Sequence, residues 1–105
     1  MAQNCDSYAA LDLGSNSFHL LIASFQDGKL RVIDRHKDIV RLAAGLDDDG
    51  CLSEDAQIRA LESLTKLADR LRGVPRRQIR IVGTNTLRAA SNANEFMAKA
   101  EAVLG

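Results

Sequence analysis

The stretch Asp12-Leu13-Gly14-Ser15-Asn16-Ser17 sets a carboxylate just before a glycine and three small polar residues. Successive backbone N–H groups of Gly14, Ser15, Asn16 and Ser17 can converge on one anion, and the hydroxyls of Ser15 and Ser17 add donors. The bare Cα of Gly14 permits close approach. This is phosphate-cradle chemistry that needs no lysine. A carboxylate next to a phosphate is repelled unless a divalent cation lies between them, which makes Asp12 the candidate metal-side residue and Mg²⁺, held through water, the candidate cation. The same six residues also suit a tight hairpin in which Asp12 caps its own turn.

A second polar cluster, Gly83-Thr84-Asn85-Thr86-Leu87-Arg88, follows a short β-branched run. Ligands of open α/β sheets bind outside the carboxyl ends of the strands. Both clusters sit at such ends, so Thr84, Asn85 and Arg88 join Gly14, Ser15, Asn16 and Ser17 as phosphate-binding candidates, with Arg88 supplying a forked cation. Other candidates have plainer explanations. His19 lies in an apolar strand and reads as a packed residue bonding the backbone. His36 stands alone and exposed by pattern. Asp47-Asp48-Asp49-Gly50 lacks the alternating ligands and terminal glutamate of a calcium loop and reads as a solvated acidic turn. Of the basic residues Arg70, Arg72, Arg76, Arg77 and Arg80, the first two suit a helix C-terminus, and the group as a whole could line a polyanion path.

These residues must be positioned by regular elements, which the apolar pattern supplies. Residues 8–13 form a short apolar run closed by Gly14, as in a strand buried on both faces. Residues 18–25 resume as a second strand, and Asp27-Gly28 marks a tight primed turn into a third, residues 30–35, with imperfect alternation. Ser53 caps a helix whose stripe is Ile58, Leu61, Leu64, Leu67, Ala68 and Leu71, and Gly73 as C′ residue and Pro75 stop it. Residues 79–83 then read as a strand closing a β-α-β crossover, parallel to the first. Asn92 starts a last helix that buries Phe96, Met97, Ala100 and Val103 or Leu104. The expected order is β-β-β-α-β-α in one α/β domain spanning residues 1–105.

Composition narrows the partners. Fourteen Lys and Arg balance fourteen Asp and Glu, so no net field recruits nucleic acid or an anionic membrane. The longest apolar run, Leu20 to Ala23, is far below the ~20 residues of a membrane span. Residues 1–6 lack the charged and apolar regions of a secretory leader. Cys5 and Cys51 match no disulfide framework or zinc spacing and read as free thiols of a reducing cytoplasm.

Taken together, Ala10-Leu11-Asp12-Leu13-Gly14-Ser15-Asn16-Ser17-Phe18-His19-Leu20-Leu21-Ile22, Val40-Arg41-Leu42 with Gly45-Leu46, and Val82-Gly83-Thr84-Asn85-Thr86-Leu87-Arg88 resemble the N-terminal part of the exopolyphosphatase and guanosine pentaphosphate phosphatase (Ppx/GppA) family, from about Tyr8 to the C-terminus. The resemblance implies a ribonuclease H-like, actin-like ATPase half-domain with a mixed sheet, lacking that domain's final strand and helix. It also implies hydrolysis of a terminal phosphoanhydride in inorganic polyphosphate or guanosine pentaphosphate, with Mg²⁺ and an activated water. Family members are two-domain proteins of roughly three hundred residues or more, with a second Asp-Ile-Gly-Gly-Gly-Ser type loop and a water-orienting glutamate expected beyond Gly105. Neither occurs here, so no catalytic residue is assigned, the chain reads as an incomplete domain inactive alone, and its last strand is expected to present an open edge for self-association. Two alternatives stay open: the nucleotide-binding module of a sugar-kinase-like or Hsp70-like protein, and a non-catalytic interaction fragment.

Overall fold

Asp27 and Gly28 take φ of 54° and 77°, the two positive values of a type I′ turn whose twist matches the strands it joins. The turn links β2 (Ser17–Gln26) to β3 (Lys29–Ile39) in antiparallel register, Gln26 opposite Lys29. The register slips once, where Ile22 faces Asp34 and Ala23 faces Val32. Ile33 is the extra residue of this bulge, which explains the broken alternation of the third strand. β3 runs longer than its apolar pattern suggests because an edge strand needs only its partner's backbone, not a buried side chain, to continue.

The computed structural model describes residues 7–105, so Cys5 and the rest of the leader lie outside the described residues. β1 (Ser7–Leu13) pairs antiparallel with β2 and parallel with β4 (Ile79–Gly83), giving a mixed sheet in the order β3-β2-β1-β4. Between β3 and β4 the chain makes α1 (Glu54–Arg70), and after β4 come α2 (Asn85–Ala89) and α3 (Ala93–Leu104). The parallel β1/β4 pair is the expected crossover. The short helix α2 is an addition to the expected order, which becomes β-β-β-α-β-α-α. Its sequence offers only one buried apolar side chain, Leu87, too few for periodicity to reveal.

Leu11, Leu13, Phe18, Leu20 and Ile22 from the sheet pack against Ala60, Leu64 and Leu67 of α1 and Phe96 and Ala100 of α3. All these sheet residues belong to one face. β1 therefore alternates strictly between buried and exposed positions, and the expectation of a strand buried on both faces is corrected: both long helices cover the same side. The other side shows Tyr8, Leu21, Phe25, Val32 and Val82 to solvent.

Helix α1 starts as its sequence demands. Ser53 Oγ accepts the Ala56 N–H at 3.2 Å, and Glu54 and Asp55 occupy the first turn. Its buried side is rotated from the expected stripe, for Ile58 is 47% exposed while Ala56 and Ala60 are fully buried. Small residues allow α1 to approach closely: a Cβ at Gly45 would collide with the Ala56 side chain. The cap is Leu71, so the left-handed Gly73, φ 90°, lies one residue further out than the expected C′ position. Asn92 holds the N-cap position of α3, but its side chain instead bonds Leu52, accepting the N–H at 2.8 Å and donating to the carbonyl at 3.2 Å.

Candidate phosphate-binding site

The hairpin between β1 and β2 is closed by the Gly14 N–H donating to the Ser17 carbonyl at 3.1 Å. A Cβ at Gly14 would stand 2.8 Å from that carbonyl oxygen, so glycine is required by close approach. The bond also occupies the Gly14 N–H, which removes it from the expected donor set. The next two carbonyls turn to the segment after β3: Ser15 C=O accepts from Ala43 N–H at 2.8 Å, and Asn16 C=O accepts from Val40 and Arg41 N–H at 2.9 and 2.8 Å. Because each trans peptide points its N–H opposite its C=O, the N–H groups of Asn16 and Ser17 are aimed away from that segment. Among the described residues the N–H groups of Ser15 and Asn16 are unengaged. The N–H groups of Ser15 and Asn16, with Ser17 beside them, are therefore the candidate donors of a cradle, and Gly14 is the close-approach residue.

The second cluster is tied directly to the first. Thr84 donates both its N–H and its hydroxyl to the Leu13 carbonyl, at 3.2 and 3.3 Å. The Thr86 hydroxyl lies 2.7 Å from Ser15 Oγ, which also accepts the Thr86 N–H at 3.3 Å. Seventy-one residues of sequence separate Ser15 from Thr86, and the parallel register, Leu13 opposite Gly83, closes that gap. Thr86 itself is buried, while Asn85 and Arg88 on α2 are exposed. The Ser15 hydroxyl thus fastens the two loops together. Gly83 fits tightly under α2, since a Cβ there would lie 3.1 Å from Leu87.

Asp12 is exposed on the helix-free face, directly opposite His19 of β2 and, through it, Lys37 of β3. No cation pairs with it among the described residues. His19 is likewise exposed and makes no hydrogen bond among the described residues, so the reading of a packed histidine is corrected: it belongs to the open face, beside the site. The signal was the alternation of β2, in which His19 interrupts an otherwise apolar row. His36 is half-buried on the helix side opposite Leu20 rather than exposed.

The remaining candidates lie apart from the cradle. Asp47 accepts the N–H groups of Asp49 and Cys51 at 2.9 Å each, so the acidic turn is held by its own carboxylate. Arg70 pairs with Asp34 at 2.9 Å, and Arg72 with Asp69 at 3.0 Å. Arg76 and Arg77 occupy a single 3₁₀ turn before β4, and Arg80 is on β4 itself, all exposed. Cys51 is a free thiol 2.9 Å from Ser91 Oγ.

A cradle fed by two strand ends, one antiparallel and one parallel to its neighbour, now has a lineage. The model of the Ppx/GppA phosphatase family matches residues 21–105. The chain belongs to that family. It is 53% identical over 98 residues to a guanosine-5'-triphosphate,3'-diphosphate pyrophosphatase of Vibrio cholerae, covering 93% of this chain and 20% of that protein. The fold superposes on the crystal structure of the Aquifex aeolicus Ppx/GppA family member with a TM-score of 0.83 at 30% identity, covering 91% of this chain and 31% of that one. A Cytophaga hutchinsonii exopolyphosphatase gives a TM-score of 0.86 at 27% identity, with 93% and 31% covered. This family member thus spans about a fifth of the length of the curated relatives it matches, and its mixed sheet with helices is a partial domain of the actin-like architecture.

Proposed function

We propose that the chain is the phosphate-binding N-terminal part of an acid anhydride hydrolase that releases the terminal phosphate of guanosine pentaphosphate or of inorganic polyphosphate. One observation carries the reading: Ser15, Thr84 and Thr86 knit the two polar loops into one surface at the carboxyl ends of adjacent parallel strands. Similarity to the V. cholerae pyrophosphatase supports the nucleotide, and similarity to the C. hutchinsonii exopolyphosphatase supports polyphosphate. Family membership sets aside the sugar-kinase-like and Hsp70-like alternatives.

In this reading the N–H groups of Ser15, Asn16 and Ser17 bind a phosphate oxygen, and the Arg88 guanidinium, with Thr84 and Asn85 nearby, balances its charge. Asp12 fits Mg²⁺ by the chemistry of its donor set: a lone, unpaired, solvated carboxylate suits an ion that keeps most of its waters. Mg²⁺ would offset the phosphate charge that Asp12 otherwise opposes. A reducing cytoplasm is the compartment that goes with the free Cys51 thiol. The open edge of β4, which pairs only with β1 among the described residues, is the surface through which copies of the chain associate.

The experiment is an NMR titration of the chain with inorganic tripolyphosphate and Mg²⁺. Amide signals of Ser15, Asn16, Ser17 and the α2 residues move together if the reading holds. Signals that stay fixed to tens of millimolar, weaker than even millimolar affinity, would show that no cradle exists.

A further inference from the structure

We infer that Arg41 is a second arginine of the phosphate site, engaging the phosphate next to the one in the cradle; the inference rests on the phosphate reading above. Among the described non-glycine residues, positive φ occurs at Asp27, 54°, and Arg41, 56°. The hairpin turn accounts for Asp27. No hairpin turn accounts for Arg41, which stands between the buried Val40 and Leu42 just after β3. Glycine or asparagine would hold this left-handed backbone at lower cost. What arginine brings in exchange is a long, forked, permanently charged side chain.

The backbone of Arg41 is fully committed to the site. Its N–H and that of Val40 are the two donors to the Asn16 carbonyl, at 2.8 and 2.9 Å. Arg59 of α1 then clamps the other side, Nε donating to the Val40 carbonyl at 3.2 Å and Nη2 to the Arg41 carbonyl at 3.3 Å. Arg59 thus acts as a positioning residue. The Arg41 side chain is in the opposite condition: it is exposed and has no carboxylate partner among the described residues. Its Cα is therefore fixed beside the Asn16 carbonyl, on the flank of the loop away from the Asn16 and Ser17 N–H groups, while its long side chain is left free to reach past the loop.

Sheet order gives this cation a distinct place. Arg41 follows β3 and flanks the cradle from the β2 side, whereas Arg88 follows β4 and flanks it from the β1 side. A single phosphate in the cradle is served by Arg88. A chain of linked phosphates extends beyond it, toward the flank where Arg41 stands just after β3 and Lys37 lies on the open face of that strand. Arg41 then discriminates linked phosphates from orthophosphate, a selectivity that backbone N–H groups alone do not provide.

The test compares binding of inorganic tripolyphosphate and of orthophosphate to the full chain by calorimetry, alongside urea unfolding. Arg41→Ala should weaken tripolyphosphate about tenfold, as loss of a charge-assisted pair does, and change orthophosphate less than twofold. Arg41→Gly should show the same selective loss with stability equal to or above wild type, which separates lost charge from lost fold. Arg41→Lys should recover part of the affinity. Unchanged tripolyphosphate binding in both Arg41→Ala and Arg41→Gly would overturn the role of Arg41 while leaving the phosphate site standing. A wild-type chain that binds neither anion would overturn both.

Discussion

Ser15 Oγ accepts both the hydroxyl and the N–H of Thr86, so the oxygen serves the loop's position while its own O–H remains a donor beside the Ser15 N–H. Deleting the bond should cost about 1 kcal/mol of stability and blur the register of the two loops. Thr86→Val, which keeps the shape and removes the hydroxyl, is expected to lower the urea midpoint and weaken tripolyphosphate binding several-fold. Gly14 is constrained more severely: because a Cβ there would stand 2.8 Å from the Ser17 carbonyl oxygen, Gly14→Ala should cost about 1–3 kcal/mol, the range for overpacking. In the proposed reading Asp12 would act through its charge. In Asp12→Asn the Mg²⁺ requirement for anion binding should vanish, because the repulsion that the cation offsets is gone, and binding measured with and without Mg²⁺ should then coincide.

At the scale of elements, α1 separates apolar pattern from packing. Leu64 and Ile58 both belong to the stripe visible in the sequence, yet only Leu64 is buried. Leu64→Ala should cost about 2–5 kcal/mol, while Ile58→Ala should stay within about 0.5 kcal/mol, a contrast that thermal or urea unfolding reads directly. The helix, its cap at Ser53 and its end near Gly73 were legible because capping and dipole chemistry are local. Its rotation was not, because the close approach at Gly45, a contact between distant segments, brings Ala56 and Ala60 to the inside. The same division holds at the site. Gly14 and the small polar residues announce the tight turn between β1 and β2, and the parallel β1/β4 pair follows from one crossover. The fate of the Gly14 N–H, the use of the Ser15 hydroxyl and the exposed row of Asp12, His19 and Lys37 depend on register and on which face the helices cover. Helix α2 escaped notice because five residues carry no period.

The whole molecule is a sheet with one face covered and one bare. On the bare face the rings of Tyr8 and Phe25 meet edge to face at 5.7 Å, and Leu21, Val32 and Val82 extend the apolar surface across all strands of the sheet. Soluble monomers rarely leave such a surface open, and β4 adds an unpaired strand edge among the described residues. Sedimentation velocity at high micromolar concentration should therefore show self-association, reduced by Val82→Lys, which charges face and edge together. A strictly monomeric species would show that neither surface pairs.

Catalysis asks more of the molecule than binding. Hydrolysis of a phosphoanhydride requires the phosphate to be clamped and a water to be held in line, with a group to take its proton. In the proposed reading these duties are divided unevenly: backbone N–H groups and Arg88 would stabilise charge, and Asp12 would face the metal side. The glutamates are Glu54, Glu62, Glu95 and Glu101. All are exposed on α1 or α3, and those helices cover the face opposite Asp12. His19 is next to Asp12 on the open face of the interior strand β2 and makes no hydrogen bond among the described residues that would orient its ring. Loss of a positioned base alone costs about 10²–10⁴-fold in rate. This chain with Mg²⁺ is accordingly expected to bind tripolyphosphate without releasing orthophosphate above the rate of its Asp12→Asn variant. Release that is clearly faster in the wild type, and lost in Asp12→Asn, would mean that the 105 residues contain a complete catalytic site.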